Sequence, residues 1–398
     1  MANTLNLGNG NWATKEDSLL AYNSENGNFK PLPFDFTRAS SATVVNKAGL
    51  IETVGSGEPR IDFSSDAKGA LKLEPAKTNL FLTSASGVYG SSPASETNTI
   101  SPDGTLNAVI PTPDTTSNRY QYDVSSGTYA TNTKLAYSWY RKRISTPIDT
   151  SHIGDLHIKS LSNASQVGST TQIESDVNGF DRFQAVLNIT DGSLPSIIRG
   201  YFGGVVGIGN SSVAYFGHQM ELGDFSTSYI PTSGSAVTRT VEYSKILNQP
   251  ILKATNKFTM FFDAPKFLEV NGGVGSFDNV MLNLGAAESA YDSGGGLHIY
   301  NKVWYYNSGS VSTNIGICYN SLTDSKFAIS YDGTSFHKYA NGVKIASIAL
   351  SASMVNWDTF QTSGMNDAQL DERSWNLKNL KLYNTALTDA ELQALTTI

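Results

Sequence analysis

Trp304, Tyr305 and Tyr306 stand consecutively between Asn301 and Asn307, and together they offer the chemistry that reads a sugar. The C–H face of a pyranose stacks on an exposed aromatic ring while neighbouring amides bond its hydroxyls. Alternation along a strand sends consecutive side chains to opposite faces, so at least one of the three rings should face outward. The competing account puts Trp304 and Tyr306 in a core and leaves only Tyr305 outside. Trp357, between Asn356 and Asp358, and Trp375, beside Asn376, are smaller versions of the pattern; Tyr120, Tyr122 and Tyr201 offer it earlier in the chain.

Other chemistries find less support. Retaining glycoside hydrolysis needs two carboxyl groups about 5 Å apart, and the nearest grouping, Asp367, Asp371 and Glu372, lies in the polar turn NDAQLDERSW. The chain is therefore read as a non-enzyme, with polysaccharide degradation ranked third among its functions. His152 and His157 flank Asp155 at an odd spacing, which does not turn both imidazoles to one face of a strand. His218, His298 and His337 are isolated and read as packed or hydrogen-bonded side chains. Calcium is the one cofactor left open, with Asp278, its neighbour Asn279 and Asp292 as ligand candidates, although Asp and Asn are also ordinary turn residues. The run Gly294 to Gly296 is not a phosphate loop, because LHIY follows instead of Lys-Ser or Lys-Thr. Cys318, alone in the chain, excludes an internal disulfide and reads as a buried strand thiol.

The elements that must position these residues are strands. The 398 residues are rich in Gly, Ser, Thr and Asn, only 16% charged and 11% aromatic, a mixture suited to short strands and tight turns. A net charge of -7 without a basic patch argues against nucleic acid. No stretch approaches about 18 apolar residues, so no membrane insertion is expected, and the start lacks a signal-peptide pattern.

Three parts are expected: a leader over 1–83 with little regular structure, a β-sandwich over 84–245 and a second sandwich over 246–398. In the middle part Leu135, Tyr137 and Trp139 alternate, as do Phe183, Ala185, Leu187 and Ile189, and SPDGT at Ser101 to Thr105 makes a turn. Ser244 to Pro250 reads as a linker. In the last part Asp332-Gly333 and Asn341-Gly342 mark the turns of a meander. Thr388 with Glu391 has the spacing of a capping box, which predicts a short C-terminal helix docked through Leu387, Leu392 and Leu395.

Two segments far apart in sequence read as opening and closing one module: Phe34 to Leu80, containing GEPRIDF and LEPAKTNL, and His218 to Arg239, containing SYIPTSGSAVTR. Charges occur singly in the first, which suits a segment that lies along another surface and fixes its path with ion pairs. Both segments resemble sequences of tailed-bacteriophage virion proteins. FAISYDGTSFHKYANGVKI and the ending KNLKLYNTALTDAELQAL are similar to the central hairpin and close of concanavalin A-like, laminin-G-like jelly rolls, over about the last third of the chain.

The resemblance implies an all-β virion component, a fibre, tail tip or head projection, whose C-terminal jelly roll adheres to host surface polysaccharide. Its alternative is a capsid-decorating or tail-bracing protein with protein partners only. Other virion proteins are the expected partners and a homotrimer the expected assembly, because an under-cored leader needs a surface to cover it. Synthesis in the host cytoplasm and release by lysis complete the expectation.

Overall fold

The computed structural model describes residues 4–8, 13–15, 18–23, 28–31, 34–85, 96–110, 119–127, 129–144, 157–158, 166–167, 170–189, 196–203, 213–246, 257–264, 266–268, 280–285, 296–300, 303–308, 311–317, 325–350, 359–361 and 374–398. Among the described residues the fold is all-β with a short helix at the end, as the sequence predicts. It forms two units, each assembled from separated stretches of chain. One comprises 1–41, 54–76 and 240–398, and the other 42–53 and 77–239.

The first unit contains two large sheets. In one, the strands run in the order Thr4–Gly8, Asn379–Tyr383, Phe258–Asp263, Lys326–Tyr331, Ser335–Ala340 and Val343–Ala349. Along its centre Phe258, Met260 and Phe262 alternate with Thr259 and Phe261, so one face carries a continuous apolar row. That row meets Phe327, Ile329, Tyr331, Phe336, Leu380 and Leu382 from neighbouring strands, and Leu297, Tyr306 and Ile315 from the second large sheet, in one core. The opposite face presents Phe261, Ala328 and Tyr339, which Leu392 of the helix Asp389–Thr396 covers. Full burial of one such leucine contributes about 1.5–3 kcal/mol.

The meander turns form as expected. Asn341 and Gly342 both have positive φ, 44° and 78°, which a two-residue hairpin of this hand requires. At the helix start the Thr388 hydroxyl accepts from the Glu391 N–H while the Glu391 carboxylate accepts from the Thr388 N–H at 2.7 Å.

In the second unit the largest sheet runs Glu96–Thr99, Ala108–Ile110, Val213–Leu222, Lys134–Arg143, Phe180–Asn188 and Thr170–Val177. Both of its faces are covered. Leu135, Tyr137 and Trp139 join Phe183, Ala185 and Leu187 on one side, whereas Tyr140, Phe216, Phe180 and Val177 form a separate cluster with Val45 and Ile51. The turn at Ser101 closes through Ser101 N–H to Thr105 O, 2.8 Å.

Three expectations change. The leader is not irregular: among its described residues ten short strands run from Thr4 to Asn79. Nor is it one segment, because Thr4–Gly8 pairs with Asn379–Tyr383, Phe34–Thr37 with Tyr243–Ile246, and Ala70–Leu73 with Ser374–Leu377, while Lys77–Asn79 pairs with Val237–Arg239 in the other unit. These partners lie within the chain, so the leader no longer supplies a physical motive for a trimer. Finally, the expected linker begins inside a strand, since Ser244 to Ile246 pair with Phe34 to Phe36 on one side and Lys245 and Ile246 pair with Phe360 and Gln361 on the other.

Candidate functional site: one outward strand, two internal networks and a histidine cluster

The strand Val303–Ser308 carries the proposed sugar-reading residues and separates them by alternation. Tyr306 is buried, 4% exposed, beside Leu297 and within 6.1 Å of the Phe336 ring. A ring in that position cannot stack on a sugar, so Tyr306 leaves the candidate set. Tyr305 is half-buried and lies in register with His298 on one neighbouring strand and exposed Asn314 on the other. Asn314 accepts the Gly316 N–H through its Oδ1 at 2.7 Å. Trp304 pairs with Ile299, and Asn307 with Gly296 and Ser312, through the backbone. Asn301, Trp357, Asp278, Asn279 and Asp292 lie outside the described residues, as do Cys318, His152, Asp367, Asp371 and Glu372.

The polar residues of the two signature segments do a different job, which the sequence suggested only through their isolated charges. In the first unit Glu242 accepts from Arg38 Nη1 at 2.8 Å, from Arg60 Nε at 2.7 Å and from Arg60 Nη2, and also takes the Glu74 N–H at 2.9 Å. Arg60 Nη2 also donates to Glu74 Oε2 at 2.8 Å. Burial opposes the charge of Arg60, yet Glu242 and Glu74 outweigh it and hold its pKa above the ordinary value. Nearby, Lys72 reaches Asp62 at 2.9 Å; despite burial, this ammonium and the Ser64 hydroxyl keep the Asp62 carboxyl below its usual range.

In the second unit Asn79, from LEPAKTNL, spans two backbone stretches. It donates to Ile230 O at 2.8 Å and accepts from Phe81 N and Met220 N, each at 3.0 Å. Glu221 accepts from Thr227 N and Oγ1 and from Gln219 Nε2, and Arg239 donates to Thr227 Oγ1 and Ser228 Oγ. His218 bonds Tyr137 through Nδ1 at 2.8 Å and lies beside the Phe81 ring, and burial pushes its pKa down to about 3. It is a packed, hydrogen-bonded histidine, as the sequence suggested.

A third arrangement went unseen in the sequence. His337, on Ser335–Ala340, bonds Ser347 through Nδ1 at 2.8 Å and Asp332 through Nε2 at 3.2 Å. Asp389, the first residue of the helix, lies 3.8 Å from Nδ1 and is bound by Lys344 at 2.6 Å. The Thr334 hydroxyl, His337 and two backbone N–H groups hold the Asp332 carboxyl well below its usual range, although burial opposes them. Asp332 and Ser347 lie 5 and 10 residues from His337 and meet it through the meander, whereas Asp389 is 45 residues from Lys344 and arrives on the helix.

Among the described residues no group of three or more His, Cys, Asp or Glu is placed to hold a metal ion. None of the described helices is long and apolar enough to cross a membrane.

No family model and no curated protein matches the chain. Solved structures do, each over part of it. The CBM40 of Ruminococcus gnavus IT-sialidase, bound to alpha2,3 sialyllactose, is 17% identical over 36% of this chain and 82% of that one, with a TM-score of 0.26. A botulinum neurotoxin type C structure, described by cell entry dependent upon two ganglioside molecules, is 11% identical over 39% of this chain and 40% of that one, at 0.30. A leech intramolecular trans-sialidase complexed with 2,7-anhydro-Neu5Ac is 13% identical over 37% and 24%, at 0.28. Likeness at this level carries no argument about ligand or reaction.

Proposed function

We propose that this chain is a structural component of a tailed-bacteriophage particle, a fibre, tail tip or head projection, that adheres to host surface glycans through its C-terminal part. The observation that carries the adhesive half is the placement of Tyr305: half-buried, on the face opposite core residue Tyr306, with the exposed amide of Asn314 in register beside it. A half-buried ring whose neighbour is an amide offers a sugar both stacking and hydroxyl recognition. The virion half rests on the resemblance of the two signature segments. Their charged and amide residues, Arg60, Glu74, Asn79 and Arg239, act as internal fasteners, so what is shared is an architecture rather than a reaction. Synthesis in the host cytoplasm, release by lysis, other virion proteins as partners and a homotrimer belong to the same proposal.

Binding of the full-length chain, at measured oligomeric state, to intact host cells and to their isolated capsular polysaccharide tests this reading. Saturable binding that weakens at least tenfold, about 1.4 kcal/mol, in Tyr305→Ala is the expected result. Equal binding by the variant removes Tyr305 from the contact, and no binding by either chain removes the adhesin.

A second reading, decoration or bracing through protein contacts alone, is favoured by the exposed Leu82, Ile100 and Leu106 of the 42–53/77–239 unit, 51%, 54% and 60% exposed. Its signature is retention on particles without any binding to polysaccharide.

A further inference from the structure

His337 occupies the outward face of its sheet, in a row where Thr259 pairs with Ser330, Ser330 with His337 and His337 with Ser347. At the closed end of the row Thr259 and Ser330 are buried, bonded to each other and to the backbone at Thr385 and Leu387. At the open end Ser347 is exposed, on Val343–Ala349, the outermost strand of the sheet.

The hydrogen bonds fix the proton positions. Asp332 Oδ1 accepts Thr334 N at 2.7 Å, Thr334 Oγ1 at 2.8 Å and Ser335 N at 2.8 Å, which holds the carboxylate rigidly and turns Oδ2 to His337 Nε2. An ionised carboxylate only accepts, so Nε2 carries the hydrogen. In the neutral ring Nδ1 is then the acceptor, and the Ser347 hydroxyl, 2.8 Å away, donates to it. A serine bonded to an imidazole whose far nitrogen is held by a carboxylate is the arrangement that activates a hydroxyl as a nucleophile.

We propose that Ser347, with His337 as general base and Asp332 as its orienting carboxylate, is a nucleophile for acyl transfer from esters. The Ser347 oxygen attacks the ester carbonyl carbon as its proton passes to His337 Nδ1. The carbonyl–alkoxide bond then breaks, Nδ1 returns the proton to the leaving oxygen, and an acyl-serine remains. Water, deprotonated by the same nitrogen, attacks the acyl-serine and releases the carboxylic acid, restoring the hydroxyl. Asp332 and Asp389 flank the imidazolium that forms between these transfers. Because Ser347 lies on an exposed outer strand, the substrate is a small acyl ester presented from outside, such as an acetyl ester on a polymer. This activity is independent of Tyr305 and of glycan adhesion.

The test uses the full-length chain with a fluorophosphonate probe, reading the labelled residue by mass spectrometry, and with p-nitrophenyl acetate. The expected result is labelling at Ser347 that disappears in Ser347→Ala. Asp332→Asn is the sharper variant: its amide keeps an oxygen for the turn but presents an N–H to Nε2, which moves the ring hydrogen to Nδ1 and removes the base. Labelling and turnover should then fall about 100-fold or more, with unchanged circular dichroism. Labelling of Ser347 no faster than that of the exposed Ser65, or a rate untouched in Asp332→Asn, would overturn the proposal.

Discussion

Arg60 and Glu242, 182 residues apart in sequence, meet through Arg60 Nε to Glu242 Oε1 at 2.7 Å with both side chains wholly buried. A carboxylate shared by two guanidinium groups in a dry interior is stabilising only as a complete set. Glu242→Ala removes the acceptor that Arg38 and Arg60 share. Unfolding of this variant in urea should show a loss of about 3–5 kcal/mol, and a loss below 1 kcal/mol would mean that water reaches the cluster.

His218 gives the other unit a pH signature. Its folded pKa of about 3 lies below the ordinary 6.5, so the unfolded chain binds the proton first as pH falls. The neutral imidazole therefore contributes stability that is fully present above about pH 6.5 and is lost progressively down to about 3, with a slope of up to about 1.4 kcal/mol per pH unit. Denaturation midpoints measured across that window should rise with pH, and His218→Gln should lose this part of the slope whatever its absolute stability.

The helix cap offers a milder test. Thr388→Ala removes the acceptor of the Glu391 N–H and should cost about 1 kcal/mol. Because Leu392 covers Phe261, Ala328 and Tyr339, amide exchange on Phe258–Asp263 and Lys326–Tyr331 should quicken as well.

Gly217 stands at φ 67°, where an added Cβ would lie 2.8 Å from Tyr140 Cδ2. Gly217→Ala joins backbone strain to a clash with a buried ring, and a loss of at least about 1–3 kcal/mol is expected. A thermal midpoint equal to that of the parent chain would show that Tyr140 moves aside freely.

What could be read from the sequence was local. Asn341-Gly342 dictates its turn, Thr388 and Glu391 their cap, and Leu135, Tyr137 and Trp139 their shared face, each through residues at most a few positions apart. The leader's strands are three to six residues long, too short to display a period, and their partners lie as far away as Tyr383. The same limit hid the meeting of Arg60 with Glu242. At Trp304 to Tyr306 alternation allowed two assignments of faces; the packing of Tyr306 against Leu297 and Phe336 puts Tyr306 on the core side.

The pairing of Thr4–Gly8 with Asn379–Tyr383 sets a schedule for synthesis. A ribosome adding roughly 5–20 residues per second needs roughly 20–75 s between making the first of these strands and the second. Throughout that interval the early strand lacks its ladder partner, so this sheet can close only after Tyr383 has been made. A chaperone that holds the nascent leader should therefore raise the yield of folded chain more than one supplied after release.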